Sequence, residues 1–236
     1  MTIDLKLRLE ELTDNSNARL PICLALDTSG SMDGAKLNEL NAAVRWFFNE
    51  VRKDEMAAMT AEIATVSFGG EVRQLTEISG IERQQVPSFS ASGGTPIGEA
   101  VIKCLDLLDQ AKREYKELGV DYFQPWLVLM TDGTPTDDIA KAVERCQQEI
   151  KNKKLTVIPI AIGADADIPT LARFSKPGFP PLRLGSALLK EFFAWLAKSI
   201  QQTSLSNPGD SDADNLAISL QRQAKSWDEA IRGGRS

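Results

Sequence analysis

The chain has 236 residues, of which 42% are hydrophobic and 25% are charged, and its formal net charge is −6. This length and hydrophobic content suit one α/β domain with short extensions and exclude a disordered chain. The negative charge argues against sequence-independent nucleic-acid binding and against attraction to anionic membranes. The sequence contains no histidine, which excludes Ser-His-Asp and Cys-His catalysis and every imidazole general base.

The cysteines and the N-terminal residues indicate the cellular compartment of the protein. Cys23, Cys104 and Cys146 are odd in number and lack metal-binding spacing, so they do not suggest a disulfide framework. Charged residues interrupt the N-terminus from Asp4 onward, unlike a signal peptide. No apolar run approaches the roughly 20 residues that span a bilayer. We therefore expect a cytoplasmic protein whose cysteines are buried thiols in a reducing compartment.

An N-terminal extension, residues 1–19, precedes the first core strand. In it Ile3, Leu5, Leu7 and Leu9 alternate with polar residues, which is the period of a strand. The central strand of a doubly wound sheet is paired on both sides, so this extension cannot be its hairpin partner. We expect it either to pair at a sheet edge or to pack as a helix.

Strand-like and helix-like segments then alternate along the chain. Such alternation predicts a doubly wound, mostly parallel six-stranded sheet with helices on both faces. Gly69 and Gly70 separate two strand patterns that predict a hairpin and thus one antiparallel edge strand. The predicted strands are 20–26, 61–68, 72–78, 126–130, 155–162 and 182–184, and the predicted helices are 37–51, 96–118, 139–150, 168–174 and 187–200.

The C-terminal part of the sequence predicts a linker and a final helix. Residues 206–214 are acidic and rich in turn-forming residues. After them, Leu216, Leu220, Trp227 and Ile231 share one helical stripe. This helix either folds back on its own domain or docks on a partner protein.

Oxygen-bearing side chains follow several predicted strands and loops at one end of the sheet. Asp27, Ser29 and Ser31 follow the first strand, Thr95 follows Gly93-Gly94, and Asp132 ends the fourth strand. Ligands of α/β sheets bind beyond the carboxyl ends of the strands. Hydroxyls and carboxylates are hard ligands that suit Mg²⁺, Mn²⁺ or Ca²⁺ better than Zn²⁺ or Cu²⁺. The spacing therefore predicts a divalent metal site, with Mg²⁺ the expected ion.

These segments resemble the von Willebrand factor A (VWA) domain family with its metal-ion-dependent adhesion site, over roughly residues 21–200. Asp27, Ser29 and Ser31 match the family's D-x-S-x-S positions, Thr95 its threonine, and Asp132 the aspartate of its T-D-G segment. The resemblance implies a Rossmann-like fold for residues 20–203, with 204–215 as a linker and 216–236 as a terminal helix or tail. It also implies that the hydroxyls contact the metal directly, that the aspartates often act through water, and that a partner protein's Asp or Glu completes the coordination.

The segments LPICLALDTSGSMDG, SGGTPIGEA and MTDGTPTDD are similar to the bacterial TerY-like branch of that family. This similarity implies a stress-response or tellurium-resistance role linked to a protein kinase and a PP2C-type phosphatase.

An alternative function is a metal-dependent hydrolase or phosphatase that uses the same site. Haloacid-dehalogenase phosphatases need a second aspartate where this chain has Ser29, and a P-loop needs a glycine where it has Ala35. Because no nucleophile, base or cofactor motif is complete, we expect a protein that is not an enzyme. Thr136, Asp137 and Asp138 are expected to cap the helix that follows them.

Overall fold

The apolar runs of the sequence form the strands of one sheet. The computed structural model describes residues 3–209 and 213–233. In this part of the chain, the strands are β1 (Leu20–Asp27), β2 (Ala61–Gly69), β3 (Glu71–Thr76), β4 (Trp126–Thr131), β5 (Thr156–Ile162) and β6 (Leu182–Leu184). They pair in the order β3-β2-β1-β4-β5-β6.

The strand directions confirm the predicted fold class. The pairs β1–β2, β1–β4, β4–β5 and β5–β6 are parallel, and only the β2–β3 hairpin in the described residues is antiparallel. The hairpin turns at Gly70, whose φ of +72° suits a residue without a Cβ. Every residue of β1 and β4 is buried, because helices cover both faces of these central strands.

Helices cover the sheet in two layers, each with its own apolar core. The described helices are α1 (Ile3–Asp14), α2 (Ala35–Lys53), α3 (Glu55–Thr60), α4 (Ile97–Leu118), α5 (Ala140–Lys151), α6 (Ile168–Ala172), α7 (Leu189–Ser204) and α8 (Ala213–Gly233). On one face α2 and α7 pack together around Phe47, Phe192 and Phe193. On the other face α4 and α5 pack over Cys104, Leu108 and other buried side chains.

Residues 3–14 of the N-terminal extension form the helix α1, so the strand alternative is wrong. The structure describes the backbone of this helix but not the side chains of Ile3, Leu5, Leu7 and Leu9. An ionic cluster ties α1 to the sheet. Arg8 donates two hydrogen bonds to the buried carboxylate of Glu62 on β2, the Arg19 guanidinium lies 3.3 Å from it, and the Tyr115 hydroxyl donates to it at 2.6 Å. This charge pairing, which alternation of apolar residues cannot indicate, anchors the helix.

The C-terminal helix α8 folds back onto α7. Leu220 and Trp227 are buried in the core of that face, and the Trp195 indole N–H donates to Ser219 Oγ at 3.2 Å. The side chain of Ile231 and residues 210–212 of the predicted linker lie outside the described residues. Helix α3 was not predicted; Asp54 caps it by accepting a hydrogen bond from Ala57 N at 2.8 Å. No helix in the described part of the chain is long and apolar enough to cross a membrane.

Candidate metal centre

The predicted ligand residues meet at the carboxyl ends of β1 and β4. Asp27 is the last residue of β1, and Asp132 directly follows β4. The two strands are adjacent and parallel, with Leu26 opposite Met130, so both carboxylates lie at the same sheet edge. Both are buried, whereas Ser31 on the rim of the site is exposed. The site is therefore anchored in the core and open to solvent on one side.

A chain of hydrogen bonds connects the ligand side chains. Ser31 Oγ donates to Asp132 Oδ1 at 2.6 Å, and Ser29 Oγ lies 3.0 Å from Ser31 Oγ. Because the single Ser31 proton is directed to Asp132, the Ser29 hydroxyl must donate to Ser31. Each serine oxygen then keeps a lone pair that a cation can accept.

Asp27 is held by donors on both of its oxygens. Its Oδ1 accepts from the backbone N–H of Ser29 at 2.7 Å, and its Oδ2 accepts from the Thr131 hydroxyl at 2.5 Å. Burial raises the pKa of the Asp27 carboxyl above its ordinary value, although these hydrogen bonds oppose the shift. A cation nearby would favour the charged form and thus stabilise a carboxylate that burial disfavours.

Gly133 shows that Thr95 and Ser31 border the same space. A Cβ built on Gly133 would lie 3.3 Å from Thr95 Oγ1 and 3.8 Å from Ser31 Oγ. A side chain at this position would therefore enter the space that both hydroxyls line. The structure thus brings all five predicted residues, from three separate segments, to one place.

Glycine backbones join the β2–β3 turn, the loop of Ser29 and Ser31, and the loop of Thr95. Gly93 has a φ of +62°. It packs against Gly70 so closely that a Cβ on Gly93 would lie 2.4 Å from Gly70 Cα. Backbone hydrogen bonds join Gly70 N to Gly94 O at 2.8 Å and Gly30 N to Gly93 O at 3.0 Å. The loop that carries Thr95 is therefore fixed to the loop that carries the serines.

Of the three residues expected to cap α5, only Asp138 does so. Asp137 accepts hydrogen bonds from Gly98 N at 3.1 Å and Glu99 N at 2.8 Å, so it caps α4. Thr136 Oγ1 accepts from Thr95 N at 2.9 Å. Only Asp138 accepts from the following helix, at Ala140 N. The prediction was wrong for Thr136 and Asp137 because α4 begins after Pro96, which offers no side-chain oxygen as a cap.

Sequence reasoning missed two residues that touch the ligands. Thr131 donates to Asp27, as described above. Lys36, in the first turn of α2, forms an ion pair with Asp132 Oδ2 and donates to Ser31 O at 3.3 Å. A lysine does not ligate a metal, so no ligand motif marks it; its position close after Ser31 is the one available signal.

The donor chemistry fits a hard divalent cation. The five residues offer three hydroxyls and two carboxylates, which are oxygen donors of the kind that Mg²⁺ and Ca²⁺ prefer. Among the described residues, no group of three or more Cys, Asp or Glu side chains could hold a metal ion. A site at this edge therefore depends on neutral hydroxyls for most of its donors.

The sequence places the chain in a known family. Residues 22–180, more than half of the chain, match the model of the von Willebrand factor type A domain. The chain belongs to this family. It is 26% identical over 166 residues to inter-alpha-trypsin inhibitor heavy chain H2 of Mus musculus, an alignment that covers 65% of this chain. The chain spans only 16% of the length of that protein.

Solved structures share the fold. The vWF domain of the type V pili tip protein Mfa5 from Porphyromonas gingivalis superposes with a TM-score of 0.62 at 13% identity, covering 81% of this chain and 98% of that one. Proximal thread matrix protein 1 from the mussel byssus, with a zinc-occupied MIDAS motif, has a TM-score of 0.51 at 14% identity and covers 80% of this chain and 46% of that one. At these identities, the likeness concerns the fold alone.

Proposed function

We propose that this chain is a non-enzymatic module that binds a partner protein through a divalent cation held by Asp27, Ser29, Ser31, Thr95 and Asp132. The observation that carries the proposal is the convergence of three neutral hydroxyls with only two carboxylates. Such a set leaves a bound cation able to attract a further anion. An Asp or Glu side chain of a partner is the expected ligand.

The accessibility of the site supports binding of a protein. Gly30, Ser31, Ser92 and Gly93 are exposed at its rim, while the carboxylates beneath them are buried. A carboxylate from outside can therefore approach the hydroxyl side. Mg²⁺ is the proposed ion, with Mn²⁺ and Ca²⁺ as substitutes, since all three favour oxygen donors. When bound, the ion would supply the positive charge that a partner carboxylate recognises.

The cellular role follows from the sequence resemblance. We place the chain in the cytoplasm as an adaptor of a bacterial stress-response system resembling tellurium resistance, together with a protein kinase and a PP2C-type phosphatase. The cysteines support a reducing compartment, because all three are free and buried. Burial raises the pKa of the Cys146 thiol to about 12, so this thiol stays protonated and inert at neutral pH.

The test compares wild type with Asp27→Asn, which keeps the side-chain shape but removes one charge from the site. Asp33→Asn is the matched control, because Asp33 is an exposed carboxylate just beyond the site. Titration calorimetry with Mg²⁺ and Mn²⁺ should show binding by wild type and by Asp33→Asn, and at least tenfold weaker binding by Asp27→Asn. Circular dichroism verifies that each variant is folded.

Two results would contradict the proposal. If folded wild type binds neither Mg²⁺ nor Mn²⁺ at millimolar metal concentrations, the chain is a structural domain without a metal-dependent function. Metal-dependent hydrolysis of p-nitrophenyl phosphate by wild type, lost in Asp27→Asn, would favour the hydrolase alternative.

A further inference from the structure

A lysine lies beside the ligand residues with its charge directed at one of them. Lys36 is the second residue of α2, and its ammonium pairs with Asp132 Oδ2 and donates to Ser31 O. The Asp132 side chain is fully buried, whereas the Lys36 side chain is 33% exposed. The lysine therefore reaches from the surface into the site.

The stem of Lys36 passes near Gly163, the residue that follows β5. Its Cε lies 3.8 Å from the position that a Cβ on Gly163 would occupy, at the end of β5. The side chain thus crosses from the start of α2 over the carboxyl ends of β4 and β5. The ion pair with Asp132 and the hydrogen bond to Ser31 O place the positive charge next to Asp132.

Lys36 changes the net charge of the site. Asp27 and Asp132 contribute two negative charges, and Lys36 contributes one positive charge. With a divalent ion bound, the site carries a net charge of about +1 with the lysine and about zero without it. A nearby positive charge repels a divalent cation and attracts an anion.

We propose that Lys36 is a tethered cation that weakens binding of the divalent ion and strengthens binding of the partner carboxylate to the loaded site. This inference rests on the proposed function and adds the residue that balances its two binding steps. Lys36 coordinates nothing; it acts through its charge and through Asp132, and is therefore a positioning residue.

The test uses the full chain with Lys36→Met, and Lys53→Met as the matched control. Lys53 is the last residue of the same helix, about 25 Å away along its axis, and its removal changes the net charge equally. Mn²⁺ affinity is measured by electron paramagnetic resonance of the free ion. We expect Lys36→Met to bind Mn²⁺ about tenfold more tightly than wild type, and Lys53→Met to match wild type.

The second arm measures the anion. With each variant saturated with Mn²⁺, acetate binding is followed by paramagnetic relaxation of its methyl protons. We expect weaker acetate binding in Lys36→Met by several-fold, and wild-type behaviour in Lys36→Arg, which keeps the charge. Lys36→Gln removes the charge but keeps an N–H donor toward Asp132, and it replaces Lys36→Met if the latter does not fold.

The outcomes separate this inference from the proposed function. Mn²⁺ affinity in Lys36→Met that equals or falls below that of wild type would overturn the inference, as would unchanged acetate binding. If wild type binds no Mn²⁺ but Lys36→Met does, the inference stands and the proposed function fails. If neither binds Mn²⁺, both are overturned.

Discussion

Gly93 is not a candidate ligand, yet the conformation of its backbone positions Thr95. Its φ of +62° and its contact with Gly70 exclude a Cβ, and the hydrogen bond from Gly30 N to its carbonyl links it to the serine loop. Ligand geometry at the site thus depends on a residue two positions before the ligand itself.

Gly93→Ala should therefore misplace Thr95. We expect Mg²⁺ affinity to fall at least tenfold and the free energy of unfolding to fall by about 2 kcal/mol, because strain and a backbone clash add. Calorimetry and urea denaturation measure the two effects.

Gly178→Ala is the control for Gly93→Ala. Gly178 also has a positive φ, +87°, but open space where its Cβ would lie. It should lose stability without losing Mg²⁺ affinity. Equal Mg²⁺ affinity in Gly93→Ala and wild type would mean that Gly93 does not position Thr95 for metal binding.

The sequence predicted the candidate ligand residues but not the residues that support them. Asp27, Ser29, Ser31, Thr95 and Asp132 could be placed together because parallel strands end at one sheet edge. Their partners could not. The hydrogen bond that Thr131 donates to Asp27, and the one that Asp137 accepts from Gly98 N at the start of α4, depend on side-chain directions and loop paths that no spacing encodes.

At the scale of elements, α8 lies against α7 and far in sequence from the ligands. Its buried residues, Leu220 and Trp227, extend the core formed by α2 and α7. The sequence predicted the amphipathic helix and left two alternatives for its apolar face. Only the packing distinguishes them, because a helix that docks on its own domain and one that docks on a partner have the same pattern.

Trp227→Ala should remove the anchor of α8. We expect a loss of about 3 kcal/mol in the free energy of unfolding, typical of truncating a buried aromatic side chain, measured by urea denaturation. Mg²⁺ affinity should not change, since α7 and α8 do not contribute ligands.

Lys225→Ala, an exposed position on the same helix, should leave stability within about 0.5 kcal/mol of wild type. Wild-type stability in Trp227→Ala would mean that the contact between α8 and α7 does not stabilise the fold.

For the whole molecule, the fold class and the alternation of elements were predictable, because long apolar runs and helical periods are strong signals. The N-terminal helix was only one of two alternatives, since an ionic cluster around Glu62, which no apolar pattern indicates, anchors it beside the buried Leu12. The proposed site couples to this whole fold because its ligands exist together only when β1 and β4 are paired.

A ligand that binds only the folded state raises its stability. At a Mg²⁺ concentration of about 100 Kd, the gain should be about 2.7 kcal/mol. For a chain of this size, this corresponds to a rise in Tm of about 5–10 °C, measured by differential scanning calorimetry.

Excess chelator should reverse the rise, and Asp27→Asn should show at most about half of it, because tenfold weaker binding leaves a gain of about 1.4 kcal/mol. A similar rise in Asp27→Asn would mean that Mg²⁺ stabilises the chain from elsewhere.

The pairing of β1 with β4 also sets when the site can come into being. Ser31 and Asp132 hydrogen-bond across 101 positions of the chain. During synthesis, the serines leave the ribosome long before Asp132 is made, and they remain without that partner until β4 has emerged and joined the sheet. The proposed ion can therefore bind at this edge only late in synthesis, and a chain truncated before β4 would lack the candidate site.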